Sequence, residues 1–286
     1  MQFLMLGSVE VHGEGGVISL GGTRQSALVA ALLLTPRRGL STAELATAVW
    51  GEEALSGPAD AVRASVLRLR RSLESIEFGG GRRLLKNGGG YSLTVQAGEC
   101  DVTSFTEHVD SARAAAGNGD FERAVAEFQR AIRLWRGPAL ASARGPFARM
   151  HAARLNESRL EVFSEKIELE LALGKPGALA ELRALTSEHR THEGLHAQLM
   201  AALYRSGQPA AALAVFHSLR CELVEQVGVE PGPVTRELQQ RILTHDPGLL
   251  HTSAPVAARG GDAVVRPAFC ACGRTLSWPE AATRVS

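Results

Sequence analysis

One stretch of the sequence, AVRASVLRLRRSLE at residues 61–74, limits the possible folds more than any other. In a helix of about 3.6 residues per turn, its apolar side chains form a single stripe, made of Val62, Val66, Leu69 and Leu73. That stripe has to be buried, and the arginines then point away from it, with no acidic partner before Glu74. The stretch therefore predicts a helix that is anchored by one face and presents cations on the other.

The segment around this helix is positively charged. Residues 60–97 contain seven Lys and Arg against three Asp and Glu, a local excess of +4, although the whole chain carries a formal net charge of only +1. A solvated charged face would give the same excess. Charge alone therefore leaves a binding surface and an ordinary exposed face as equal alternatives.

The composition is that of a globular protein with room for two domains. The chain has 286 residues, of which 45% are hydrophobic and 21% are charged. It shows neither a run of about 18 apolar residues nor a charged leader segment, so we expect a cytoplasmic protein that makes no membrane contact. The cysteines are too scattered for a disulfide framework, and we expect all four to be reduced: Cys100, Cys221, Cys270 and Cys272.

The first part of the chain predicts a small sheet followed by two helices. Short apolar runs broken by GEGG predict strands between residues 3 and 20, and TRQSALVAALLLTP predicts a buried helix that Pro36 ends. STAELATAVWG predicts a second helix, because Ser41 and Glu44 fit a capping box and Gly51 fits a C-terminal stop.

A hairpin follows the third helix, which is entered after Gly57 and Pro58. RLLK, NGGG and YSLTV predict two strands, with Asn87 and Gly88 suited to the positive φ of a tight turn. Sheet, three helices and hairpin are the order of a winged helix-turn-helix domain. The third helix would then fit the major groove of DNA, where arginines reach guanine or phosphate and small residues such as Ala64 and Ser65 allow close approach.

A plain helical bundle with a charged exterior is the alternative to the winged helix. The hairpin argues against it, since its edge carries Arg82, Arg83 and Lys86 and its tip is rich in glycine. Such a ribbon has no packing purpose in a bundle, whereas a wing can lie along a DNA strand.

The second part of the chain contains an internal repeat. Gly, Ala and Phe recur at offsets of 5 and 9 in two segments, as Gly119, Ala124 and Phe128 and as Gly207, Ala212 and Phe216. A weaker copy surrounds Gly174, 33 residues before Gly207, which is close to the ~34-residue period of tetratricopeptide helix hairpins. The repeat predicts an α-helical array in which these residues mainly serve packing.

These segments together resemble a known family. LGSVEV, LGGTRQSALVAALLL, STAELATAVWG, VLRLRRSL and GGYSL resemble an OmpR-type winged helix, and more specifically the Streptomyces antibiotic regulatory protein family. LWRGPALA, GPFARM and QLMAALYRSGQPAAALAVFHSLRCELVEQVGVEPGP resemble that family's bacterial transcriptional activator domain. The resemblance covers about residues 2–247.

The resemblance implies a mainly α fold in two domains. We expect a winged helix-turn-helix with a small β-sheet and a wing hairpin at residues 1–97. An all-α, TPR-like helical repeat domain is expected at residues 98–247. The tail at residues 248–286 is rich in Ala, Pro and Gly, and we expect it to be flexible.

The function implied by the resemblance is sequence-specific activation of transcription, in the control of antibiotic or other secondary-metabolite biosynthesis genes. Two copies are implied to bind direct repeats in double-stranded promoter DNA as a homodimer and to help RNA polymerase holoenzyme engage the promoter. The resemblance also implies that the helical domain takes part in dimerisation and in contacts that support activation. GEEALSGP, between the second and third helices, corresponds to the loop that faces RNA polymerase in OmpR-type proteins, or is an ordinary connector.

We assign candidate DNA contacts from the helix and the wing. The candidates for reading bases are Arg63, Ala64, Leu67, Arg68 and Arg71. The candidates for phosphate contact are Thr42, Arg70, Arg82 and Lys86.

The sequence contains neither a phosphate-binding loop nor a nucleophile elbow, and we expect no enzyme activity, no catalytic residue and no cofactor. We also expect no receiver domain ahead of the winged helix, which leaves control by protein level, by a ligand or by a partner open. Cys270 and Cys272 lack a second close pair, so we expect no metal site, and Trp278 either docks on a partner or is merely exposed.

Two other functions remain open. A repressor would use the same DNA-reading helix but block polymerase. A scaffold built on the helical repeats would use the winged domain only to bind protein, and salt-dependent, sequence-selective DNA binding would exclude it.

Overall fold

The N-terminal part of the computed structural model is a winged helix built on two small antiparallel sheets. The structure describes residues 1–18, 20–35, 39–51 and 57–250. The first sheet has the strand order β1 (Gln2–Leu4), β2 (Glu10–Gly13), β3 (Gly16–Ile18). The second has the order β4 (Leu40–Ser41), β6 (Gly90–Leu93), β5 (Leu84–Asn87). The helices are α1 (Thr23–Leu34), α2 (Thr42–Trp50) and α3 (Pro58–Ile76).

The first two helices begin and end largely as their sequences predict. In α1 every residue from Ser26 to Leu34 is buried, which confirms the prediction of a buried helix; Pro36 lies outside the described residues. In α2 the capping box is confirmed: Glu44 N donates to Ser41 Oγ at 3.1 Å, and Ser41 N donates to the Glu44 carboxylate at 2.8 Å.

The wing hairpin is confirmed, but its turn is displaced by one residue from the prediction. Asn87 pairs with Gly90, so the two turn residues are Gly88 and Gly89, with φ of 51° and 97°. The expectation that Asn87 takes a positive φ is therefore wrong. Two consecutive residues with positive φ match the right-handed twist of a hairpin, and glycine adopts them without a steric penalty.

The rest of the described chain is helical, with seven helices after the wing. They are α4 (Asp101–Gly117), α5 (Phe121–Arg133), α6 (Pro146–Ala172), α7 (Ala178–Glu188), α8 (Glu193–Arg205), α9 (Pro209–Gln226) and α10 (Pro233–Leu243). Among these described residues, none of the helices combines the length and apolar composition that crossing a bilayer requires.

The internal repeat corresponds to helix hairpins, as predicted. Gly119 lies between α4 and α5, Gly174 between α6 and α7, and Gly207 between α8 and α9, and all three have positive φ. The repeated Ala and Phe are buried where the paired helices meet: Ala124, Phe128, Ala212 and Phe216. A short helical turn at Pro247–Leu249 follows α10, and Leu249 is buried, although we expected this segment to be part of the flexible tail. Cys270, Cys272 and Trp278 lie outside the described residues.

The two parts share one hydrophobic core. Buried side chains run without a break from the N-terminal sheet and α1–α3 into α4, α5 and one side of α6, and a second core joins α6 to α7–α10. The helical part is therefore packed onto the winged helix rather than connected to it by a linker alone.

Asp101 forms the polar centre of this junction. Its carboxylate, at the start of α4, accepts hydrogen bonds from Met5 N at 2.7 Å and Leu6 N at 2.8 Å, next to β1. Burial raises the pKa of Asp101, although these main-chain donors act in the opposite direction. Residues 136–141 run beside the same loop, where Arg136 N donates to Leu6 O and Leu140 N to Met5 O. The junction is thus closed by main-chain hydrogen bonds as well as by apolar contacts.

We expect Asp101→Ala to destabilise the whole protein by about 3 kcal/mol, because it leaves the buried N–H groups of Met5 and Leu6 without acceptors. Urea denaturation followed by circular dichroism measures this loss. The matched control is Asp110→Ala on the exposed side of the same helix, which should change stability by less than about 0.5 kcal/mol. Equal stability of the two variants would contradict the role assigned to Asp101.

Candidate nucleic-acid interface

Helix α3 has the two faces that its sequence predicts. The stripe of Val62, Val66, Leu69 and Leu73 is buried, with each residue at most 3% exposed. The opposite face is exposed and carries Arg63, Ala64, Leu67, Arg68 and Arg71. All five candidates for reading bases therefore lie on one accessible surface of one helix.

Ser65 does not belong to this exposed surface. It is buried, its carbonyl oxygen accepts a hydrogen bond from Gln25 Nε2 at 2.9 Å, and its hydroxyl accepts one from Arg68 Nη2 at 3.1 Å. The expectation that Ser65 lets the helix approach DNA closely is wrong. Its role is to join α3 to α1, and Ala64 is the small residue on the open face.

The arginines of α3 differ in how they are paired. Arg63 forms an ion pair with Asp60, one turn earlier, at 3.0 Å, so our expectation that no acidic partner precedes Glu74 is wrong. Both side chains are exposed, and such a pair contributes little stability and can be exchanged for a phosphate. Within the described residues, Arg68 and Arg71 form no ion pair.

Arg70 and Glu74 brace the wing against α3. Arg70 Nη2 donates to the carbonyl oxygen of Leu84, the first residue of β5, at 2.8 Å. The Glu74 carboxylate accepts from Gly79 N at 3.0 Å and from Gly81 N at 2.9 Å. These main-chain hydrogen bonds hold the pKa of Glu74 below its ordinary value. The brace fixes the distance between the helix and the hairpin.

The turn between helix and wing leaves no room for side chains at two of its glycines. A Cβ at Gly80 would lie 2.4 Å from Leu73 O, and one at Gly81 would lie 2.9 Å from Arg70 Cγ. The glycines that follow α3 therefore allow the chain to pass close against its last turns.

Arg83 has a structural role that we did not predict. It donates to Glu99 at 2.6 Å and to Glu77 at 2.9 Å, and its side chain is only 17% exposed. Burial alone would raise the pKa of Glu99, but the hydrogen bond from Arg83 and other contacts lower it overall. The expectation that Arg83 edges the DNA-facing side of the wing is therefore wrong.

Arg82 and Lys86 are exposed on the wing, as expected. The wing tip is tied to the start of α2, where Thr42 Oγ1 donates to Gly89 O at 2.9 Å. Phosphate contact by Thr42 stays a prediction, and it requires its hydroxyl to turn away from Gly89. A cleft of about 400 Å³ separates α3 from the wing, lined by Leu67, Arg70, Arg71, Glu74, Gly81, Arg82 and Leu84.

An exposed cationic helix held beside a wing by internal braces defines a class, the winged helix-turn-helix regulators, here fused to a helical repeat domain. Two family models match the chain: "Transcriptional regulatory protein, C terminal" at residues 17–93 and "Bacterial transcriptional activator domain" at residues 100–243. The chain belongs to the Streptomyces antibiotic regulatory protein family.

Relatives extend over nearly the whole chain. Regulatory protein DnrI of Streptomyces peucetius is 34% identical, over 90% of this chain and 97% of DnrI. Regulatory protein AfsR of Streptomyces coelicolor is 38% identical over 94% of this chain, but the matched part is only 26% of AfsR. This chain therefore spans about a quarter of the length of AfsR.

A solved structure has the same architecture. The structure of Mycobacterium tuberculosis EmbR in complex with a low affinity phosphopeptide matches with a TM-score of 0.80 at 32% identity. The match covers 91% of this chain and 69% of that one.

We expect Glu74→Gln to lower the melting temperature at pH 7, because a neutral amide is a weaker acceptor for the N–H groups of Gly79 and Gly81. Folding lowers the pKa of Glu74, so its contribution is present above the unfolded pKa and is lost as the pH falls through the folded value. The difference in melting temperature between Glu74→Gln and the unsubstituted protein should therefore become smaller as the pH falls below about 4.5.

Thermal melts by circular dichroism at several pH values measure this difference. Glu225→Gln, at an exposed position on α9, is the control and should melt like the unsubstituted protein. If the melting temperature of Glu74→Gln stayed equally far below that of the unsubstituted protein at low pH, the ionised carboxylate of Glu74 would not be what stabilises the turn.

Proposed function

We propose that this protein is a sequence-specific activator of transcription that binds double-stranded promoter DNA. The observation that carries the proposal is the exposed face of α3, where Arg68 and Arg71 have no carboxylate partner among the described residues. The positive charge of these arginines would be complemented by DNA phosphates or by the acceptor atoms on guanine edges. Membership of a family of transcriptional regulators supports the same function.

The arrangement suits a helix in the major groove with the wing on the backbone. Arg63, Ala64, Leu67, Arg68 and Arg71 would face base edges, with Leu67 placed to touch a thymine methyl group. Thr42 and Arg70 would contact phosphates at the edge of the groove, and Arg82 and Lys86 would do so from the wing. The contacts are non-covalent throughout, and the function requires no catalytic step and no cofactor.

Because the chain belongs to this family, we extend the proposal to the way copies of the protein assemble on DNA and to the genes that they control. Two copies would occupy direct repeats and help RNA polymerase holoenzyme engage a promoter of antibiotic or other secondary-metabolite genes. The loop that would face polymerase is GEEALSGP, residues 51–58, and its residues 52–56 lie outside the described residues. A DNA-binding regulator of this kind acts in the cytoplasm.

A reporter gene under a candidate promoter separates activation from repression. The proposal predicts higher expression when the protein is present, and lower expression would identify a repressor that uses the same interface.

We expect Arg68→Ala to weaken binding to the cognate site by about 1–3 kcal/mol and to relax the preference for one base, because a base-reading arginine discriminates through its contact with a base edge. Competition titrations with single-base variants of the site measure both effects. Unchanged affinity together with unchanged base preference would contradict our placement of α3 in the groove.

We expect Lys86→Ala to weaken binding to all sequences alike and to reduce the slope of log K against log salt by about one, since a phosphate contact releases counterions without reading sequence. The same titration, repeated at several salt concentrations on a cognate and a scrambled duplex, measures this. A loss confined to the cognate duplex would assign Lys86 to base reading instead.

A further inference from the structure

The three arginines on the exposed face of α3 differ in what holds their side chains in place. Arg63 is paired with the carboxylate of Asp60. Arg71 has neither an ion pair nor a side-chain hydrogen bond with any residue that the structure describes. Arg68 is held by a neutral group, because its Nη2 donates to the hydroxyl oxygen of Ser65 at 3.1 Å.

The hydroxyl that holds Arg68 is itself fixed in the protein. At about 100° per residue, Ser65 lies about 60° around the helix from Val62 on the buried stripe and from Arg68 on the exposed face. Ser65 is only 4% exposed, and its carbonyl oxygen accepts a hydrogen bond from Gln25 Nε2 on α1 at 2.9 Å. The hydroxyl therefore stands at the border between the core and the open face, where it gives the guanidinium a fixed point of attachment.

A neutral acceptor orients an arginine without using up its capacity to bind DNA. A guanidinium has five N–H donors, and the contact with Ser65 uses one of them. A bidentate contact with O6 and N7 of guanine needs two. A carboxylate, such as Asp60 beside Arg63, would orient the side chain as well, but it would also compensate the charge and have to be displaced by the DNA.

An arginine that is held in one orientation discriminates between bases better than a mobile one. A mobile arginine can turn from a mismatched base to a nearby phosphate and so recovers part of the lost contact. A restrained arginine has no such alternative, and its ordering costs little free energy on binding. Arg68 is therefore suited to reading a base, whereas Arg71, which lacks this restraint, can turn to a phosphate as readily as to a base.

We propose that Ser65 is a positioning residue for sequence recognition. Its hydroxyl holds Arg68 in the orientation that reads one guanine, and it thereby determines the preference at a single base pair of the site. Ser65 acts through Arg68 and needs no contact with DNA of its own. This inference rests on the proposed DNA-binding function, because Arg68 has to face a base.

The test compares two serine variants of the full chain. Ser65→Ala removes the hydroxyl and leaves every charge of α3 in place. Ser72→Ala is the matched control, about two turns further along the same flank of α3, where the hydroxyl has no hydrogen-bond partner among the described residues. The base pair read by Arg68 is located first, as the pair whose preference Arg68→Ala relaxes.

Each variant is then titrated against the cognate duplex and against two altered duplexes. One altered duplex replaces the base pair read by Arg68, and the other replaces a second recognised pair. The measured quantity is the ratio of the affinities for the cognate and the altered duplex. A loss of folded protein does not change this ratio, since both duplexes meet the same folded fraction, so a purely structural role of Ser65 would leave it constant.

We expect Ser65→Ala to lower this ratio by about threefold to tenfold at the pair read by Arg68, because a bidentate contact discriminates by about 5- to 150-fold and a mobile arginine keeps part of that. The ratio at the second pair and the salt slope should not change, since no charge is removed. In an Arg68→Ala background, Ser65→Ala should have no further effect on the ratio. Ser72→Ala should match the unsubstituted protein throughout.

Three results would overturn the inference: an unchanged ratio in Ser65→Ala, an equal fall at both base pairs, or a further fall in the Arg68→Ala background. If Ser65→Ala does not fold, Ser65→Cys takes its place with the same expectations, because a thiol sulfur is a weaker acceptor than a hydroxyl oxygen.

The same titrations keep this inference separate from the proposed function. If Arg68→Ala relaxes one base preference while Ser65→Ala keeps it in full, the inference fails and the proposed function stands. If the unsubstituted protein prefers no duplex over another, both fail.

Discussion

The burial of one apolar stripe decides which residues this protein can offer to a partner. Because Val62, Val66, Leu69 and Leu73 are inserted in the core, the arginines of α3 can only face outwards. The braces then determine how they are presented: Arg70 joins the helix to β5, and Glu74 closes the turn that follows it. These hydrogen bonds hold the helix and the wing in position in the free protein. DNA binding therefore does not carry the free-energy cost of ordering them.

The junction at Asp101 gives the helical domain a defined position relative to the exposed face of α3. A flexible linker would let the two domains reorient, whereas hydrogen bonds from Met5 and Leu6 and a continuous core prevent this. Under the proposed function, any protein that contacts the helical domain would therefore meet it in an orientation set by the bound DNA.

The sequence predicts the elements well and the contacts between them poorly. The capping box of α2, the stripe of α3 and the repeated Gly, Ala and Phe depend on residues close in the chain, and all are confirmed. Ser65 and Arg83 were assigned wrongly because their partners, Gln25 and Glu99, are brought to them only by folding. A small or charged residue on a predicted surface can equally join two elements, and spacing along the chain does not distinguish the two roles.

In the proposed function, the outward face of α3 selects a DNA sequence while the rest of the molecule holds that face in place. Footprinting of the 286-residue chain on the promoters beside its own gene tests this proposal, since it gives the site sequence, the repeat spacing and the stoichiometry together. We expect two protected direct repeats on the same face of the duplex at physiological salt. Uniform or absent protection across these promoters would contradict it.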